Sequence, residues 1–340
     1  MKAYVLTRPG AAATAFELQV LPDQAPGPGE VAVDVVAFGL NYADVMARKG
    51  SYKDAPPVPC VIGYEAAGHV VAVGAGVTEF QVGQRVAAFT RFGGYATRVV
   101  TTVDALAAVP DGLSWGEALA LTVQYCTAWH AAEDCVKLFP GDHVLVQAAA
   151  GGVGIALVQM AKRRGCVVYG TAGSDSKLDY LRSIGVDHPI NYNKEDWAAK
   201  IRSLRGDKGL DVVFDSLGGA EFKRGYKALG KGGRIVGFGN ASRSQGWTNI
   251  LGDLKTLFGF GFYSPAFMLM DSRAMIGVNM LRVADHRPKV LKACLNSCFA
   301  LAAAGEFKPL VGAEYPASEL VAAHGFLEGR KSMGKIIVKW

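Results

Sequence analysis

The chain has 340 residues, half of them apolar and 19% charged, with a formal net charge of +6. This composition excludes a disordered chain and leaves room for two ordinary domains. It is too mildly basic for a nucleic-acid face, yet it suits a polyanionic small molecule. The opening stretch MKAYVLTRPGAAATAF has no apolar run of signal-peptide type, and the six cysteines form no Cys-x-x-Cys pair. A cytoplasmic protein without a structural zinc lobe is therefore expected. The first hundred residues predict β structure, with strands in EVAVDVVAFGL (30–40), EAAGHVVAVGAGV (65–77) and VGQRVAAF (82–89), and an extended loop in DAPPVPC (54–60).

From about residue 126 the pattern changes. Candidate strands at 143–148, 166–171, 186–190, 211–215, 233–238 and 274–280 are interleaved with helices at 153–164, 175–184, 195–205 and 219–229. Alternation of this kind predicts a parallel sheet covered on both faces. A long helix at 286–304, a short one at 317–328 and the strand KIIVKW have no place in a completed six-strand doubly wound sheet. The expected fold is thus α/β, a Rossmann sheet at 126–283 inserted into a discontinuous β-rich domain built from 1–125 and 284–340. The most hydropathic stretch, 144–161, carries two glutamines and falls short of the roughly 20 residues that cross a bilayer. It reads better as strand, turn and helix.

The sequence AAAGGVG (148–154) lies between that first strand and helix. Ala149 stands where a dinucleotide-binding turn has its first glycine. Gly151 and Gly152 let backbone approach a pyrophosphate, and Gly154 lets the helix pack close to the strand. With Val153, they bring the helix N-terminus to the phosphates. Such a turn hands the ribose of NAD to an acid about 20 residues on. Here VVYGTAGSDSK (167–177) places Gly173, Ser174 and Lys177 in that region instead. Without a carboxylate to repel a 2′-phosphate, and with a hydroxyl and an ammonium to receive it, the cofactor expected is NADP, as NADPH. Asp175 is the one acid within reach, and it reads as a first-turn acid of the next helix.

The stretches GLNYADVMARKGSY (39–52), GYEAAGHVVAVGAGV (63–77), VGQRV (82–86), AAAGGVG (148–154), DSLGG (215–219) and LEGRKSMGKIIV, in order along the chain, resemble the medium-chain dehydrogenases/reductases. More narrowly they resemble the zinc-free quinone oxidoreductase (zeta-crystallin-like) branch, and within it the synaptic-vesicle amine transport protein homologue group. The resemblance implies a GroES-like domain joined to a Rossmann domain, and a homodimer. It places Asn41 beside nicotinamide and substrate, and Thr127 under the pyrophosphate. Lys177, Tyr192 and Arg330 fall around the 2′-phosphate; Phe238, Gly239 and Asn240, and then Val278, Asn279 and Met280, border the cofactor.

Zinc alcohol dehydrogenases of this superfamily carry a cysteine and a histidine where Asn41 and Tyr64 stand, so no metal is expected. The reaction expected is hydride transfer from NADPH to a small quinone, enone or enal. Asn41 and Tyr52 are the candidate donors to the reduced acceptor, and Tyr64 is the next candidate. Asp44 and His69 read as structural. The pocket is expected to be shaped by loops around 50–60, 90–94 and 241–272. A competing reading is a peripheral membrane or vesicle adaptor that retains NADPH binding, drawn from the apolar segment LFGFGFYSPAFMLM (257–270).

Overall fold

A computed structural model describes residues 1–241 and 258–340. The chain divides into two compact units, one formed by Met1–Cys126 with Met280–Trp340, the other by Thr127–Asn279.

The first unit begins with β1 (Lys2–Leu6), β2 (Phe16–Val20), β3 (Glu30–Leu40), β4 (Cys60–Val61), β5 (Glu65–Val73), β6 (Arg85–Phe89), β7 (Arg98–Thr102) and β8 (Leu106–Ala108). β5 stops at Val73, just before the Gly74 and Gly76 that close the expected strand; a Cβ on Gly74 would collide with the carbonyl of Gly27. The helix Tyr42–Arg48 follows β3 directly.

The second unit holds β9 (His143–Val146), β10 (Val167–Ala172), β11 (His188–Asn191), β12 (Leu210–Asp215), β13 (Leu229–Gly237) and β14 (Ala274–Gly277). They form one parallel sheet in the order β11-β10-β9-β12-β13-β14. Between successive strands run the helices Gly152–Arg163, Asp175–Ser183, Trp197–Arg205 and Gly219–Ala228. Leu145, Tyr169, Val213 and Ile235 of the strands pack with Trp197, Ile201 and Phe222 of the helices into one core. The strand order reverses between β9 and β12, where sheets of this type leave a crevice at their carboxyl ends. β14 is shorter than the expected 274–280.

The chain then returns to the first unit. The expected helix 286–304 is the helix Pro288–Ala303, which Pro288 opens at its first turn, and a separate short helix not expected from the sequence, Met280–His286, precedes it. β15 (Val311–Pro316), the helix Leu320–Glu328 and β16 (Lys335–Lys339) complete the unit. β16 pairs antiparallel with β3, and the large sheet runs β15-β16-β3-β5-β6-β8 with β7 also on β3. Two stretches that the sequence pattern does not announce, Leu121–Tyr125 and His130–Val136, are π-helical. Among the described residues no helix is long and apolar enough to cross a membrane.

Candidate functional site

In the second unit the turn after β9 is built around Ala148, whose φ of 51° is left-handed. For an alanine that backbone costs roughly 1–2 kcal/mol. Ala149 itself is buried against Gly170: a Cβ on that glycine would come within 3.1 Å of the alanine methyl. Gly151 is the N-cap of the helix Gly152–Arg163, which has no side-chain cap and no acid in its first turn. Val153 lies in that first turn. A Cβ on Gly154 would lie 2.5 Å from the Ala148 carbonyl oxygen, so only glycine lets strand and helix approach this closely. An uncapped twelve-residue helix with its positive end over a glycine turn fits a pyrophosphate.

At the end of β10 stand Gly173, Ser174 and, one helical turn on, Lys177, with Tyr192 against Gly173. Ser174 caps the helix Asp175–Ser183, its Oγ accepting the Lys177 N–H at 3.4 Å. A Cβ on Gly173 would stand 2.5 Å from the Tyr192 hydroxyl. Burial pushes the Lys177 ammonium down from its ordinary value. Asp175 is engaged elsewhere: Asn191 Nδ2 donates to Oδ1 at 2.8 Å and Lys194 Nζ to Oδ2 at 2.6 Å. The Lys194 hydrogen bond, followed by that of Asn191, holds its carboxyl below the usual range. Asn193 and Lys194, absent from the sequence reading, steady this cluster; Asn193 Nδ2 donates to Gly173 O at 2.8 Å. A hydroxyl, an ammonium and a phenol with the local acid neutralised fit a phosphate monoester.

Further along the same sheet edge, the Phe238 N–H donates to Asp215 O at 2.9 Å, and Gly239 lies against Ser216, where a Cβ would come 2.7 Å from its carbonyl oxygen. Asn240 Oδ1 fills the space that a Cβ on Gly218 would take. The Val278 N–H donates to Gly237 O at 2.9 Å, and Asn279 follows it, exposed. Thr127 is buried in the short helix Cys126–Trp129. Two polar residues at the strand-order reversal were not singled out by sequence reasoning. Asp215, which opens DSLGG, is fully buried and pushed up to about 7 by burial, with Oδ1 accepting the Gly218 N–H at 2.7 Å. Gln147, one residue beyond β9, is buried with neither amide atom hydrogen-bonded among the described residues.

In the first unit Asn41 is the N-cap of the helix Tyr42–Arg48. Its N–H donates to Asp44 Oδ2 at 2.7 Å, its Nδ2 to Glu65 Oε1 at 2.8 Å, and its Oδ1 accepts from Lys335 Nζ at 3.1 Å. Lys335 also donates to Glu65 Oε1, and both residues are fully buried. Asp44 is fully buried too, and burial pushes its carboxyl up to about 8 against the pull of the Asn41 N–H and Lys335. Burial also raises the Glu65 carboxyl, opposed by Lys335.

Tyr52 and Tyr64 meet edge to face with centroids 6.0 Å apart, and Tyr64 lies 5.4 Å from Phe92. Burial raises the Tyr52 hydroxyl to about 12 and that of Tyr64 further still. Tyr64 is only 3% exposed, and its hydroxyl has no hydrogen-bond partner among the described residues. His69 is exposed on β5 against Trp115. Met280 and Arg330 belong to this first unit. Met280 opens the helix Met280–His286, and Arg330 takes a φ of 56° just after the helix Leu320–Glu328. Of the loop segment 241–272, residues 242–257 lie outside the described residues.

Comparison with known proteins bears on the same two units. The family description "Alcohol dehydrogenase GroES-like domain" matches residues 27–111, and "Zinc-binding dehydrogenase" matches 152–288. The rat synaptic vesicle membrane protein VAT-1 homolog is 35% identical over 316 residues, 92% of this chain and 78% of that protein. A 2-haloacrylate reductase from a Burkholderia species is 32% identical, covering 92% of this chain and 91% of the reductase. The crystal structure of Escherichia coli quinone oxidoreductase complexed with NADPH covers all of both chains at a TM-score of 0.86 and 27% identity. The chain belongs to the medium-chain dehydrogenase/reductase family, in its quinone oxidoreductase branch, and is an oxidoreductase of that family.

Proposed function

We propose that the chain is an NADPH-dependent reductase that passes hydride to quinones or to carbon–carbon double bonds conjugated with a carbonyl, without a metal. The observation that carries this reading is the end of β10, where Ser174 caps the helix that carries Lys177, the Tyr192 hydroxyl lies against Gly173, and the one nearby acid, Asp175, is bound by Asn191 and Lys194. The E. coli quinone oxidoreductase, observed with NADPH, and the Burkholderia reductase, named for an activated alkene, support it from outside.

Bound NADPH would supply the hydride. The chain's own residues do the rest. The first turn of the helix Gly152–Arg163 holds the pyrophosphate, and Ser174, Lys177 and Tyr192 hold the 2′-phosphate. Phe238, Gly239, Asn240, Val278 and Asn279 border the rest of the cofactor, with Thr127, Met280 and Arg330 as further proposed contacts. Asn41 presents an amide hydrogen, and Tyr52 its hydroxyl, to the oxygen that gains charge as hydride arrives; Tyr64 backs the Tyr52 ring. Hydrogen-bond donors placed in this way are each worth about 10²–10³ in rate. With no titrating donor among Asn41, Tyr52 and Tyr64 near neutral pH, the proton comes from water.

Zinc does not fit the superfamily's ligand positions here. The Asn41 amide is committed to Glu65 and Lys335, and the Tyr64 phenol is buried and far from ionising. We further propose a homodimer, since among the described residues β14 has a neighbour on one side only, and a cytoplasmic location.

NADPH and NADH oxidation measured against quinone and enone panels tests the assignment. Preference for NADH, or turnover of neither panel, overturns it. The competing membrane reading is favoured by one observation, the exposure of Phe262, Phe267, Leu269 and Met270 at 69–83%. Flotation with liposomes in the absence of any reductase activity would install it instead.

A further inference from the structure

We propose that Lys335 and Glu65 are positioning residues that fix which end of the Asn41 carboxamide is the donor, so that a single amide hydrogen remains for the reacting oxygen. The inference rests on the role of Asn41 given above.

A carboxamide in a polar site can turn over, exchanging its donor for its acceptor at little energetic cost. The neighbours of Asn41 forbid that. Lys335 Nζ can only donate, and it meets Oδ1 at 3.1 Å. Glu65, paired with the Lys335 ammonium, accepts through Oε1, which meets Nδ2 at 2.8 Å. The same ammonium donates to Glu65 Oε1 and to the Leu40 carbonyl at 3.3 Å, so its three hydrogens are all placed. Of the two Nδ2 hydrogens, Glu65 takes one; the second is what the amide has left to offer.

The surroundings are built for this pair. Both charged groups have no exposure, and a Cβ on Gly39 would strike Glu65 Oε1 and Lys335 Cε, so the glycine in β3 makes their room. β3, β5 and β16 are neighbours, with Ile336 opposite Leu40 and Phe38 opposite Ala66, which brings the three residues to one end of the sheet. Lys335 therefore acts on the orientation of the side chain, while the Asn41 backbone is fixed by Asp44.

The test is a set of three variants assayed with the quinone or enone that the native protein turns over. Lys335→Met, and the paired Glu65→Gln with Lys335→Met, release the amide; the pair leaves no charge from this couple buried and so does not depend on an ion pair to fold. Asn41→Ala removes the amide itself. The paired variant, with a native-like circular dichroism spectrum, is expected to lose about tenfold or more in kcat while its NADPH dissociation constant stays within about twofold. The primary deuterium isotope effect from NADPH labelled at the transferred hydrogen should rise as hydride transfer becomes rate-limiting. A folded paired variant with native kcat and an unchanged isotope effect overturns the inference if Asn41→Ala is slow. If Asn41→Ala is itself fully active, the role assigned to Asn41 fails, and this inference fails with it.

Discussion

Lys194 and Asp175 form a 2.6 Å ion pair at the mouth of the β10 turn, and it occupies the acid that would otherwise repel a 2′-phosphate. Both partners are more than half exposed, so the pair contributes little to stability and matters for the charge it cancels. Ser174→Asp combined with Lys177→Ala should raise the NADPH KM at least about tenfold and leave that for NADH unchanged, since a charge-assisted hydrogen bond is worth about 1.5–3 kcal/mol. Lys194→Ala should shift it in the same direction by a smaller factor. Steady-state kinetics with both cofactors reads the result, and an unchanged NADPH/NADH ratio in the double variant would remove the phosphate role from Ser174 and Lys177.

Gly154 offers a sharper test of the turn. Its neighbours are backbone atoms, the Ala148 carbonyl oxygen and Ala149, which cannot swing aside as a side-chain tip would. Gly154→Ala should lower stability by about 1–3 kcal/mol and weaken NADPH binding. Denaturant unfolding and cofactor fluorescence measure the two effects; a variant as stable and as tight as the native chain would show that helix and strand are not so closely apposed.

Stability should depend on pH through Asp44 and His324 in opposite senses. Burial raises the Asp44 carboxyl from 3.8 to about 8, so the folded state keeps a proton that the unfolded state has released. Its contribution is fully present below pH 3.8 and is lost as pH rises through about 8. His324, buried against Tyr95 with a 3.1 Å contact to its hydroxyl, is pushed down from 6.5 to about 3. Its contribution is present above pH 6.5 and lost as pH falls towards 3. Above pH 6.5 the Asp44 slope is therefore free of His324, though Asp215 in the other unit, raised to about 7, adds to it. Melting temperature should fall between pH 6.5 and 8, and Asp44→Asn should flatten that fall. A native melting temperature that climbs across this interval would contradict the placement.

Metal content tests the proposal that this chain works without the zinc of the zinc-dependent dehydrogenases that share its fold. Elemental analysis should find no stoichiometric zinc, and chelators should leave turnover unchanged. A zinc that is retained and required for turnover would reverse the metal-free assignment.

The alternation that builds the second unit was legible in the sequence because each of its elements buries apolar residues at its own period, and the helix ends are marked by Ser174 and Asp196. The helix Pro288–Ala303 was equally visible, whereas the short helix Met280–His286 ahead of it was not read from the sequence. The π-helical stretches leave no such mark, because they use the same apolar residues with a different hydrogen-bond offset. Lys335 was hidden for another reason. It lies 270 residues from Glu65, and a lone lysine at the start of a terminal strand reads as a surface cation until the sheet is closed. The turn held a smaller surprise: the backbone departure falls on Ala148, one residue before the alanine that replaces the usual glycine.

The pairing of β16 with β3 also sets an order of assembly during synthesis. Residues 127–279 are continuous, so the second unit has all of its strands once they have left the ribosome. The first unit waits for Lys335–Lys339, and until they emerge the Ala37–Leu40 stretch of β3 lacks its β16 partner and Glu65 lacks its cation. For the time it takes to translate about 200 residues at about 5–20 per second, the nascent β-rich unit is an open sheet with a buried-to-be carboxylate and a bare edge. Early termination between Asn279 and Lys335 would therefore release a chain with one finished half and one adhesive one, a natural client for chaperones.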